Sequence, residues 1–304
     1  MSEIPSSTWF TVSPDWGWLV VLYFFFGGLA GGCYLLAALV DLLGRPEDRP
    51  LARAAYYVVL PCLAISGILL IFDLTRPARF WHLFLQNHTF EPMFKHWAPM
   101  SLGSWALPLF SLFALLSFLG ALAEAKRIDW AGARHFRPPG LLGGAIAIIG
   151  ALLGLYVAGG YTGVMLAVTN RPIWADTPLL GMLLVVSGTS ISVALMILLA
   201  LRNRWSTPGV LALWRMNVWL RALELLVLVA VVVSLGAVAR AWLNLWGVLL
   251  LVGAVGVGML LPLLLARRGD WLGERTPLVA AALVLLGGFV LRTVIVFSPD
   301  GAHL

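Results

Sequence analysis

The sequence predicts an all-α integral membrane protein with eight transmembrane helices and a short interfacial amphipathic helix after the second. Three observations lead there. Hydrophobic residues make up 61% of the 304 and charged residues only 11%, with a mean hydropathy of +0.95, far from the composition of soluble chains. The template of about 20 apolar residues needed to cross a hydrocarbon core of about 30 Å fits eight times. Turn chemistry separates the fits at Gly44-Arg45-Pro46, Pro138-Pro139-Gly140, Pro208-Gly209 and Thr276-Pro277, breakers that mark loops.

In order, residues 1–17 (MSEIPSSTWFTVSPDWG) have neither the basic start nor the apolar core of a signal peptide, and read as a retained outer segment. Spans follow near 18–42, 52–73, 100–124, 140–164, 178–202, 214–239, 243–266 and 277–298. The long connection runs from Asp73 to Pro99. In it Phe80, Leu83 and Phe84 recur at helical spacing while Arg79, His82 and Gln86 share the other face, the pattern of a helix lying in the interface. Such a ledge is either a lid or docking surface, or only a seal on the outer leaflet. Arg171-Pro172 ends the fourth helical stretch. Residues 18–202 form one unit, helices 1–4 with helix 5, and residues 203–304 hold helices 6–8 and a short tail.

Charge sets the orientation. The net charge is +6, yet thirteen Lys and Arg lie in the loops after helices 1, 3, 5 and 7, against five (Arg76, Arg79, Lys95, Arg171, Arg240) on the other side. The positive-inside rule then puts both termini outside the cytoplasm and removes any case for nucleic-acid binding. Cys33 and Cys62 lie in apolar segments without CxxC spacing, as buried thiols rather than metal ligands or a surface disulfide. His82, His88, His96, His135 and His303 fall in loops or the tail, so no helix supplies the axial ligand of a b-type haem.

Polar groups gather at the outer ends of the first helices. Tyr156–Pro178 passes Gly159, Gly160 and Tyr161 into Thr169, Asn170, Arg171, Trp174 and Asp176. It reads either as the wall of a ligand pocket or as a capped helix end with Trp174 as an interfacial ring. Tyr23, Asp73, Ser101 and Ser104 reach the same face. Trp16, Trp18, Trp81, Trp97 and Trp105 crowd there, as an aromatic belt would. The runs Gly27-Gly28, Gly31-Gly32 and Gly159-Gly160 suit close helix packing. Inside the bilayer, Arg221 and Glu224, three apart, make either a self-neutralising pair or, with Arg292, part of a functional path.

The runs YFFFGGLAGGCYLLAAL (23–39), DLTRPARFWHLF (73–84), MSLGSW (100–105) and YTGVMLAVTNRPIWADTPLL (161–180) together resemble the NrfD/PsrC family, membrane anchors of polysulfide reductase and related complexes. The resemblance covers the first five helices by motif, and helices 6–8 by hydropathy and the placing of Arg221 and Arg292. It implies two four-helix bundles, a bacterial cytoplasmic membrane location, and a haem-free menaquinone or ubiquinone site in the first bundle. It also implies partners: an iron-sulfur subunit with several [4Fe-4S] clusters, of the four-cluster ferredoxin-like kind, and a molybdopterin catalytic subunit. By position, Tyr161 falls on the tyrosine that bonds a quinone carbonyl and Asp73 on an acidic residue beside the headgroup. Tyr23 falls where the polysulfide reductase anchor has a histidine. A tyrosine, with a reference pKa of about 10, is a donor but not a proton acceptor near neutral pH, so Asp73 or His82 takes that role here; Ser101 completes the set. The family's proposed proton path corresponds to Tyr161, Arg221, Glu224 and Arg292.

Two electrons and two protons leave a quinol. The chain offers hydrogen-bonding groups but no electron acceptor, so a docking surface beside the site, Arg76, Arg79 and Trp97 on the ledge, is expected to hold the iron-sulfur partner. A subunit of this kind turns nothing over alone. The competing readings are a secondary transporter and a purely structural anchor, the latter differing only at Tyr161 and Asp73.

Overall fold

In the computed structural model, residues 16–205, 207–267 and 273–301 are described. Residues 1–15 of the outer N-terminal segment, Arg268 and His303 lie outside them. Among the described residues, eight helices are long and apolar enough to cross a membrane: α1 (Trp18–Leu43), α2 (Pro46–Asp73), α3 (Pro99–Glu124), α4 (Leu141–Ala167), α5 (Leu180–Arg202), α6 (Pro208–Trp242), α7 (Leu245–Arg267) and α8 (Thr276–Phe297). This is a multi-pass membrane protein. Its spans agree with the sequence reading to within a few residues except at α2 and α6, which start about a turn and a half before 52 and 214. Pro208-Gly209 and Thr276-Pro277 are helix starts rather than loops. Proline suits a first helical position, where its missing N–H would have no partner anyway, and the Gly209 N–H is taken up by Asp48 Oδ1 at 2.7 Å.

α1 packs on α2 and α4, and α3 lies against both of these, closing a first four-helix bundle. α5, α6, α7 and α8 close a second. The bundles meet chiefly along α1 and α5, each 72% buried over its most apolar stretch. The contact is between backbones: a Cβ on Gly188 would lie 3.2 Å from the Gly28 Cα. Lipid tails are as apolar as leucine, so helices associate through such close packing. Cys33 and Cys62 are buried free thiols, as expected.

At the end opposite the ledge, Arg137 is 2% exposed. It donates to both Asp41 oxygens and to Glu124, with its guanidinium 5.3 Å from the Tyr56 ring centroid. Burial by itself would lower this arginine, but the hydrogen bonds and charges of Asp41 and Glu124 hold it above its usual pKa. Arg49 joins through Glu124 at 3.1 Å. Two of the loop cations counted for topology thus knit α1, α2 and α3 together.

The ledge after α2 holds a short helix of the tighter kind. Pro77–Leu83 is a seven-residue 3-10 helix with none of its residues buried, and the chain beyond it turns back through the Leu85–Pro92 bridge. Pro77 opens it, and the polar run Gln86-Asn87-His88-Thr89 before Pro92 gives no surface to extend it.

Candidate functional site

Beneath the ledge, the ends of α1, α2, α3 and α4 enclose a cavity of about 380 Å³. Phe80, Leu83 and Phe84 roof it, the three ledge residues whose spacing marked an apolar face. Of the residues expected at the site, Tyr23, Asp73 and Tyr161 line it together, with Ser104. Most of the remaining wall is aliphatic, including Leu63, Leu70, Ile71, Leu74 and Leu107.

Tyr161 sits where α4 is irregular. Tyr156–Gly160 forms a π-turn immediately before it, a widening that recurs at functional sites. Its ring packs against Gly103 of α3, so close that a Cβ there would lie 2.1 Å from two ring carbons. Its hydroxyl donates to Met165 Sδ at 3.1 Å and lies 3.9 Å from Met100 Sδ. Tyr23 is 2% exposed, with the Thr162 side chain of α4 beside its hydroxyl. Asp73, the last residue of α2, is exposed at the cavity mouth. The Ser104 and Ser111 hydroxyls donate to the Ser101 and Leu107 carbonyls at 2.9 and 2.8 Å.

His82 and Ser101 lie outside the wall. The His82 ring stands edge-on to Trp81 at 3.9 Å. Ser101 accepts the Lys95 N–H at 3.0 Å, while Trp105 Nε1 donates to the Met93 carbonyl at 3.0 Å. These two residues pin the far limb of the ledge to α3. Arg76, Arg79 and Trp97 are exposed on the ledge. Trp174 is a correction: it is 1% exposed, stacked on Trp16 at 4.6 Å, with Nε1 donating to the Ile295 carbonyl at 2.6 Å. It anchors the α4–α5 connection to α8 and does not face the interface. Of the Tyr156–Pro178 stretch, only Tyr161 and Met165 reach the cavity.

A second group of buried charges lies in the second bundle. Arg221 pairs with Glu224 at 3.1 Å and donates to the Gly258 carbonyl at 3.3 Å, and Glu224 also acts electrostatically on Arg292. Arg292 Nε donates to the Phe24 carbonyl at 2.9 Å, and Nη1 to Ser187 and Gly288. Phe24 follows Tyr23, so this cluster touches the helix that lines the cavity. Gly28 leaves room for the approach: a Cβ there would lie 2.7 Å from Arg292 Nη2.

Sequence reasoning missed Gly103, Met100 and Met165. Each stands inside a motif already singled out, MSLGSW or YTGVM, but a glycine and two methionines carry no signal of their own in an apolar helix. The family model described as "Polysulphide reductase, NrfD" matches residues 11–299. The chain belongs to the NrfD family. It is 26% identical over 306 residues to a polysulfide reductase chain of Wolinella succinogenes, with 93% of both proteins covered. Protein NrfD of Escherichia coli is 27% identical over 314 residues, covering 93% of this chain and 94% of the relative. A selenate reductase subunit of Mesobacillus selenatarsenatis is 25% identical over 116 residues, 38% of this chain and 25% of that protein. Membership of the NrfD family therefore spans both bundles, including α6, α7 and α8, where the motifs had been silent.

Proposed function

We propose that this chain is the quinone-reactive membrane subunit of a multi-subunit reductase complex, and that the cavity under the ledge is its quinone site. One observation carries the reading. Tyr23, Asp73 and Tyr161, which stand 50 and 88 residues apart in sequence, converge on one mostly apolar cavity whose size lies within the roughly 300–1,000 Å³ of small-molecule sites. An aliphatic wall with a few hydroxyls and one carboxylate at its mouth suits a flat, weakly polar headgroup.

A quinone bound here supplies a carrier of two electrons and two protons. The chain's residues bind, orient and move protons. Tyr161 donates a hydrogen bond to one carbonyl oxygen. Tyr23, beside Thr162, lies on the facing helix and narrows the choice of headgroup position. Asp73 stands between cavity and solvent, where a carboxylate takes a proton and releases it outward. Met100, Met165 and the roof formed by Phe80 and Phe84 keep water from the ring.

Electrons pass to a partner, by this reading the [4Fe-4S] clusters of an iron-sulfur subunit seated on Arg76, Arg79 and Trp97, with a molybdopterin subunit beyond it. The names of the relatives in polysulfide and selenate reductases support that assembly. The charge count supports a bacterial cytoplasmic membrane orientation with the cavity outward. The secondary transporter fits less well, because the cavity opens at one end of the first bundle and the other end is closed by Arg137, Asp41 and Glu124. The polar cluster of Arg221, Glu224 and Arg292 is the candidate for a proton path.

Tyr161→Phe in the assembled complex tests the site. The ring and its packing on Gly103 remain, and one hydrogen bond to an oxygen that gains charge is lost. That costs about 1.5–3 kcal/mol, or about tenfold to a hundredfold in quinol turnover, with assembly unchanged. Wild-type quinol kinetics in this variant would refute the assignment.

A further inference from the structure

The hydroxyls lining the cavity belong to Tyr23, Ser104, Ser111 and Tyr161, and they are not equally available. Ser104 and Ser111 donate to backbone carbonyl oxygens of their own helix, and Tyr23 lies beside Thr162. The Tyr161 hydroxyl donates to sulfur, at 3.1 Å to Met165, with Met100 at 3.9 Å. A thioether is a weak acceptor, and an unbranched methionine repacks easily. A ligand oxygen entering the cavity would have to break an oxygen-accepted bond to recruit Ser104 or Ser111. Recruiting Tyr161 breaks only an O–H···S contact.

Resting on the reading of the cavity as a quinone site, we propose that Met165 is a positioning residue for Tyr161. Its thioether holds the phenol hydroxyl aimed and buried at the cavity wall, on an acceptor weak enough to be displaced by a carbonyl. The position one helical turn beyond Tyr161 makes this possible, since residues four apart share a helix face. The strength of the acceptor at residue 165 then sets the ligand affinity, because whatever bond the hydroxyl makes in the free protein must be given up on binding.

The sign of the effect is distinctive. Met165→Leu conserves volume and apolarity but removes the sulfur, so the free state loses its bond and quinone binds about threefold more tightly, the weak end of a net hydrogen bond. Met165→Gln has similar length and supplies an amide oxygen, a full-strength acceptor that competes with the ligand, so binding weakens about tenfold. The measurement is the dissociation constant of 2,3-dimethyl-1,4-naphthoquinone for the full-length protein in lipid nanodiscs, made for wild type, both variants, Tyr161→Phe, and the Tyr161→Phe/Met165→Leu double variant. Opposite shifts are expected for Leu and Gln, with no further shift when Met165→Leu is added to Tyr161→Phe.

Shifts of the same sign, an unchanged constant in Met165→Leu, or a Met165→Leu effect that persists without the phenol hydroxyl would overturn the role of Met165 while leaving the quinone site standing. An unchanged constant in Tyr161→Phe, or no saturable binding to wild type, would overturn the site itself.

Discussion

Two glycines line the same cavity, and one methyl group added to each separates the packing argument from a general sensitivity of the site. A Cβ at Gly103 falls among the ring carbons of Tyr161, whereas a Cβ at Gly67 meets nothing within 4 Å. In Gly103→Ala either the backbone of α3 shifts or Tyr161 swings out of place. Overpacking of this kind costs about 1–3 kcal/mol, and a displaced Tyr161 forfeits its hydrogen bond to the ligand, so kcat/KM for quinol falls by about tenfold or more. Gly67→Ala adds a methyl to open space in a helix that alanine favours by about 1 kcal/mol over glycine. It should melt at or above the wild-type temperature and change kcat/KM by less than about threefold. Quinol oxidation by the assembled complex and thermal melting of the detergent-solubilised protein measure the two arms. Equal losses in both variants, or a greater loss in Gly67→Ala, would refute the placement of Tyr161 against α3.

At the other end of the bundle, Arg137→Met leaves the Asp41 carboxylate, whose side chain is 0% exposed, buried without its partner. Breaking a buried pair in this way costs about 3–5 kcal/mol, so the variant should accumulate poorly and melt much lower, and the Asp41→Asn/Arg137→Met double variant should recover part of the loss; equal melting of the single and double variants would show that the ion pair is not the cause. On the ledge, cysteine in place of the exposed Gln86 should react with an impermeant maleimide from outside the cell when the partner subunit is deleted, and be protected when it is present. Labelling only from the cytoplasmic side would reverse the orientation, and equal labelling in both strains would remove the docking role.

The spans were legible because about 20 apolar residues in succession have few alternatives to a membrane helix. Tyr23, Asp73 and Tyr161 were legible as a group because each lies at a helix end on the same face. The ledge was read as a short helix with Phe80, Leu83 and Phe84 on one face, but not which kind of helix, since a periodicity of three or four is satisfied over so short a run by a 3-10 turn as well as by an α-helix. Trp174 was misjudged because tryptophan beside a polar loop has the same signature whether its indole N–H finds lipid headgroups or, as here, the Ile295 carbonyl. Arg137 was counted as a loop cation; nothing local in sequence reveals that Asp41, 96 residues away, holds it. The π-turn before Tyr161, the longer one at Leu249–Leu260 and the thioether contact of Met165 depend on helix-to-helix fit, which one-dimensional patterning does not encode.

That the cavity beneath the ledge takes a quinone is tested most directly by photolabelling the intact complex with an azido-naphthoquinone and locating the adducts by mass spectrometry. Saturable labelling, competed by unmodified menaquinone, is expected on the cavity-lining residues of α1 and α4 (Trp16 to Tyr23 and Tyr161 to Met165) and on the ledge roof at Phe80 to Phe84. Competed adducts confined to the second bundle would contradict it.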